Sequence, residues 1–85
     1  MDHAAALEKV TTIIKPFAKH VEALAAATDA TRIIEDLGVN SARLVDIILA
    51  FEDEFGISID DESADQVHTI GDAVQMILQK TATVS

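Results

Sequence analysis

The chain has 85 residues, no cysteine, three phenylalanines as its only aromatics and a formal net charge of −9. That size predicts a single domain near the lower limit for a self-supporting core, and the missing cysteines exclude disulfides, thiolate metal sites and cysteine catalysis. With 49% hydrophobic residues and no Trp or Tyr, aliphatic helix packing is expected, and the acidic surplus disfavours nucleic-acid backbones and anionic lipid as partners.

Leu7, Val10, Ile14, Phe17 and Val21 recur at spacings of 3, 4, 3 and 4, which predicts a first helix from about Asp2. Pro16 lies inside that pattern; it removes a backbone donor and crowds the preceding turn, so a kink or an end is expected near Lys15. The alanine-rich run Ala23 to Ala27 continues as a second helical piece. Asp29 and Thr31 then open a long, looser connection, with Ile33, Ile34 and Leu37 pinning it to the core. Gly38 breaks the chain before a second main helix that begins at Asn40 or Ser41. Its stripe is Leu44, Ile48, Phe51 and Phe55, widened by Val45 and Ile47, while Asp46, Asp53 and part of the Glu52/Glu54 pair fall off it. Gly56 is a natural left-handed stop. Ile57 and Ile59 flank Ser58 in an extended link, and Asp60 or Asp61 caps a brief third helix through about Gln66. Thr69 with Asp72 forms a shortened capping box for a last helix carrying Ile70, Val74 and Ile77, with Ala73 and Leu78 beside them and Met76 in the core or on its flank. The fold class is therefore all-α: a four-helix bundle of three main helices and a short third one, with a long first loop. Its core spans about residues 4–80, and Thr81 to Ser85 form a flexible tail.

Charge is distributed unevenly. Residues 1–45 hold six acids against five bases, whereas residues 46–85 hold nine acids against Lys80 alone. Such a surface favours basic protein partners through faster, salt-sensitive encounter. No run reaches the roughly 18 apolar residues of a bilayer span, and MDHAAALEKV lacks the basic start and apolar run of a secretory signal. A cytoplasmic monomer without membrane insertion is expected.

A serine at a helix entrance is by itself an ordinary cap. Asn40 can cap equally well, which leaves Ser41 freer than a sole cap would be. The stretch Glu35 to Phe55, EDLGVNSARLVDIILAFEDEF, sets that serine behind Asp36-Leu37-Gly38, ahead of the Val45-Asp46-Ile47 register and the Glu52-to-Phe55 cluster. With the apolar first helix and the Thr69-Ile70 start of the last helix, it resembles the prosthetic-group region of acyl carrier proteins, over roughly Leu7 to Ile77. The resemblance implies that 4′-phosphopantetheine, taken from coenzyme A, is esterified to the Ser41 hydroxyl by a phosphopantetheinyl transferase of the holo-carrier-synthase type. It implies a carrier rather than an enzyme, bearing acyl groups as thioesters for fatty-acid, lipid or polyketide enzymes and sheltering acyl chains among its helices. It also places partner recognition on Asn40, Arg43, Asp46, Glu52, Asp53 and, more weakly, Asp61, facing synthases and acyltransferases with basic patches.

The pattern departs from the family at its centre. The usual Asp-Ser-Leu followed by an acid reads Asn40-Ser41-Ala42-Arg43 here. A carboxylate beside the serine is lost, apolar surface below the arm is trimmed, and charge is reversed at Arg43, which points to a specialised carrier with dedicated partners. Two other readings stand beside it: a carrier of amino acids or aryl acids, and an unmodified helical adaptor in which Ser41 only caps. His3, His20 and His68 have no metal or catalytic spacing, and Asp60, Asp61 and Asp65 lack the central Gly and terminal Glu of a calcium loop. No metal site is expected.

Overall fold

Asp2 starts the first helix by accepting a hydrogen bond from the Ala5 amide at 2.8 Å, satisfying one of the donors that a helix start leaves open. In the computed structural model, which describes residues 2–82, α1 spans His3–Ile14, α2 Val21–Ala25, α3 Leu44–Phe55, α4 Asp61–Asp65 and α5 Ile70–Ala82. The three long helices α1, α3 and α5 form an all-α bundle, with α1 lying most extensively on α5. Its core is aliphatic around one ring, Phe51, with Val10, Ile14, Ile33, Leu37, Ile47, Ile70, Val74 and Ile77 fully buried. Burying each such side chain contributes about 1.5–3 kcal/mol.

Pro16 acts as its chemistry requires. The α-helix ends at Ile14, a single 3-10 turn covers Lys15–Phe17, and Ala18 is extended. That break resets the helical phase, so Val21 does not prolong the first stripe: it is 46% exposed, and the chain buries Leu24 instead. A second correction falls on α3. Val45 was expected to widen the apolar stripe but is 62% exposed, because it lies about 100° from the stripe's centre at Leu44, Ile48 and Phe51. Of the loop residues, Ile33 and Leu37 are buried as anchors, whereas Ile34 is 38% exposed. Met76 belongs to the core.

The long connection between α2 and α3 is stapled to the start of α5. The Ile70 amide donates to the Thr31 carbonyl at 2.9 Å, the Gly71 amide to that of Asp29 at 2.9 Å, and the Ile33 amide to that of His68 at 3.0 Å. Gly71 permits this approach, since a Cβ there would stand 2.8 Å from the Asp29 carbonyl oxygen. Both halves of the capping box form: the Thr69 hydroxyl accepts from the Asp72 amide at 3.1 Å, and the Asp72 carboxylate accepts from the Thr69 and His68 amides, each at 3.2 Å. At its other end α5 runs through Thr81 and Ala82, two residues into the segment expected to fray; the Thr81 hydroxyl donates back to the Ile77 carbonyl at 2.8 Å. The remainder of that segment, 83–85, lies outside the described residues.

Candidate functional site

The segment leading to Ser41 is folded by Asp36, Leu37 and Gly38 in three different ways. Asp36 accepts from the Arg32 amide at 2.9 Å and from the Arg32 guanidinium at 3.3 Å, closing the turn. Those bonds, the backbone one foremost, hold its carboxyl below the usual carboxylate range. Arg32 also pairs with Glu35. Leu37 is fully buried, and its carbonyl accepts from both the Lys19 and His20 amides at 3.0 Å. Gly38 takes φ +71°, where an L side chain is strained, and a Cβ would come within 2.7 Å of the His20 ring. Val39, 2% exposed, anchors the chain immediately before the site. The Leu37-x-Val39 alternation carried that signal in the sequence.

Asn40, not Ser41, supplies the cap: its side-chain oxygen accepts from the Ala42 amide at 2.9 Å. Ser41 opens a 3-10 turn, Ser41–Arg43, which passes directly into α3. Its side chain is exposed, and its hydroxyl has no hydrogen-bond partner among the described residues. It stands at the mouth of a groove of about 330 Å³ between α3 and α4. Leu44, Val45, Ile48, Leu49 and Ile59 make the apolar wall of this groove, while Glu52, Asp61 and Asp65 supply carboxylates. Val45 and Leu49, 62% and 55% exposed, are the solvent-facing part of that wall. An exposed, uncommitted hydroxyl has the chemistry for a covalently attached group, and the groove beside it, apolar on one wall and carboxylate-bearing at its rim, leaves the space for one.

The residues expected to meet partners do not form one uniform patch. Asp46 is engaged by Arg43, whose guanidinium reaches its carboxylate at 3.0 Å across one helical turn. Glu52 spends one oxygen on the Ile59 amide at 2.8 Å, in a half-buried bond that ties down the link between α3 and α4. Asp53 is exposed and lies away from the groove. Asp61 is the first residue of α4; its neighbour Asp60 caps that helix through the Ser63 amide at 2.9 Å. Hydrogen bonds from the Ser63 hydroxyl and amide hold the Asp60 carboxyl below its usual range. The Arg43–Asp46 pair was not foreseen, although its i,i+3 spacing is a recognisable helix signal. Of the histidines, His3 bonds to Asp29 at 3.0 Å and His20 covers Gly38. Among the described residues no group of three or more His, Asp or Glu is placed to hold a metal ion, and no helix is long and apolar enough to cross a membrane.

Comparison with known proteins places this arrangement. Residues 8–77 match the family model described as the phosphopantetheine attachment site. The acyl carrier protein of Caulobacter vibrioides is 46% identical over 55 residues, covering 65% of this chain and 70% of that one. That of Thermotoga maritima is 42% identical over 53 residues, covering 62% of this chain and 65% of that one. A solved structure of the acyl carrier protein from Enterococcus faecalis superposes with a TM-score of 0.77 at 34% identity, over 94% of this chain and 99% of that one.

Proposed function

This chain belongs to the acyl carrier protein family, carriers of a phosphopantetheine arm rather than enzymes, and from that membership we propose that Ser41 is the residue that bears the arm. The observation that supports the assignment is the free Ser41 hydroxyl, exposed and released from capping by Asn40. In the attachment step the Ser41 oxygen forms the new bond to the β-phosphorus of coenzyme A. The phosphoanhydride bond breaks, the adenosine bisphosphate half leaves, and the hydroxyl proton passes to a base of the transferase. Such transfers rest on positioning and charge neutralisation, which the transferase supplies; this chain needs only to present its oxygen. Once attached, the arm supplies a thiol on which acyl groups are carried as thioesters.

The partners proposed are a phosphopantetheinyl transferase and dedicated acyl synthases or acyltransferases with basic patches, met in the cytoplasm by a single-domain carrier. Asp46, Asp53 and Asp61 would steer them collectively, since each exposed charge contributes roughly 0.2–1 kcal/mol. Glu52 would contribute with whichever oxygen the Ile59 amide leaves open. Asn40, Ala42 and Arg43 support a specialised carrier: the Arg43–Asp46 pair cancels charge at the head of α3, where a partner reading acids would dock.

Intact-mass measurement after incubation with coenzyme A and a broad-specificity transferase tests the assignment. Wild type is expected to gain one phosphopantetheine and Ser41→Ala none. A gain retained by the alanine variant would move the site elsewhere.

A further inference from the structure

Ser41 lines the groove toward α4, while its neighbours Asn40 and Arg43 line a second groove of opposite character. The groove toward α4 carries Glu52, Asp61 and Asp65. On the other side, a groove of about 440 Å³ is lined by Pro16, Phe17, Lys19, Gly38, Asn40 and Arg43. That lining contains two cations and no acid, in a chain whose net charge is −9. Lys19 has no side-chain partner among the described residues, and neither does the Asn40 NH₂ group, since the Asn40 cap uses only its oxygen. Among the described residues Arg43 is held only by Asp46, in a pair whose side chains are 66% and 46% exposed.

We infer that this cationic groove is the seat of the arm's phosphodiester, and that Arg43 leaves Asp46 to hold it, so that attachment at Ser41 frees the Asp46 carboxylate for basic partners. The inference rests on Ser41 being the attachment residue. A phosphodiester bonded to Ser41 brings a full negative charge next to Asn40 and two residues from Arg43. It is tethered there, so its effective concentration exceeds that of any free anion. On the α4 side it meets three carboxylates; on the other it meets a guanidinium, an ammonium and an amide NH₂. Coulomb's law therefore turns the root of the arm toward Lys19 and Arg43. The competing Arg43–Asp46 pair is solvent-exposed and therefore weak enough to give up, while a guanidinium matches phosphate oxygens in geometry as well as charge. The unmodified carrier thus shows partners a neutralised α3 head, and the modified carrier shows an available acid.

The test compares unmodified and modified protein, with attachment first verified by intact mass. The Arg43 side-chain Nε–H resonance is followed in both forms, and the ³¹P resonance in modified wild type, Arg43→Gln and Lys19→Gln. We expect attachment to shift the Arg43 resonance. Asp46→Asn should shift it in the unmodified protein but not in the modified one. We also expect each cation variant to narrow the phosphorus signal and move it toward its position in denatured modified protein. An Arg43 resonance indifferent to attachment, with one ³¹P signal common to all three proteins, would overturn the inference while leaving Ser41 as the attachment point. Absence of any mass gain would instead remove the attachment reading, and this one with it.

Discussion

Gly38 holds φ at +71°, two residues before Asn40, and its missing side chain leaves room for the His20 ring and the Lys19 Cβ. Gly56 has a similar φ of +63°, but a Cβ there would meet nothing within 4 Å. The two positions separate backbone strain from crowding. Gly56→Ala should cost only the left-handed penalty of about 1–2 kcal/mol. Gly38→Ala should cost more, and combining it with His20→Ala should recover part of the excess; urea denaturation of the four proteins measures both effects. Equal losses at the two glycines would mean that the exposed His20 ring swings aside freely. At this scale the sequence was partly legible. Leu37 was readable as an anchor and Gly38 as a break, because burial and positive φ restrict residue type strongly. The capping role of Asn40 stood open beside Ser41, since both residues can accept from an amide two or three positions on. The Arg43–Asp46 pair is less legible, because an i,i+3 spacing permits such a pair without requiring it.

Helix α3 carries two faces and a flank, and Glu52 and Asp53 sit on different parts of it. Glu52 accepts from the Ile59 amide at 2.8 Å, whereas Asp53 is exposed and makes no hydrogen bond or ion pair among the described residues. Glu52→Ala should therefore lower stability by about 1.5–3 kcal/mol, the value of a hydrogen bond to a charged group, here one whose loss leaves a half-buried amide without its partner. Asp53→Ala should leave stability unchanged. Both should slow association with a basic partner, the Asp53 variant purely through charge. Denaturation midpoints and stopped-flow association rates distinguish the roles; equal stability of the two variants would make Glu52 a surface charge only. Helices α1, α3 and α5 were legible because a 3.6-residue apolar period continues over 12 or 13 residues in each. The phase across Pro16 was not, since periodicity carries no information past an extended residue such as Ala18. The exposure of Val45, by contrast, is contained in the spacing itself, since it lies about 100° from the centre of the α3 stripe.

Taken whole, the molecule measures 36 × 25 × 18 Å. Its least dimension admits only about two helix diameters, so every helix has one side in water. The surplus of nine negative charges is therefore crowded onto a small surface, and the ion pairs of His3, Arg32 and Arg43 are exposed. Raising salt from about 10 mM to about 150 mM shortens the Debye length from about 30 Å to about 8 Å. Screening of mutual repulsion should outweigh screening of those pairs and raise the Tm; a lower Tm would reverse that balance. Acid acts through particular groups. Asp36 and Asp60 are held below their ordinary range by hydrogen bonds from Arg32 and Ser63, so the stability they confer is present above about pH 4. It is lost as pH falls through their folded values, and Asp36→Asn and Asp60→Asn should each flatten that acid limb in circular dichroism. The seam between the long loop and α5 has a consequence of a different kind. It is closed by main-chain atoms at Asp29, Thr31, Ile33, His68, Ile70 and Gly71, and every residue type except proline offers the same atoms. Evolutionary drift can recolour the exposed strip above the seam, with Gly71 and the buried Ile33 and Ile70 as its fixed posts, while the doorway that presents Ser41 keeps its place. A lineage could thus refit this molecule for new clients by changing its outer dress alone.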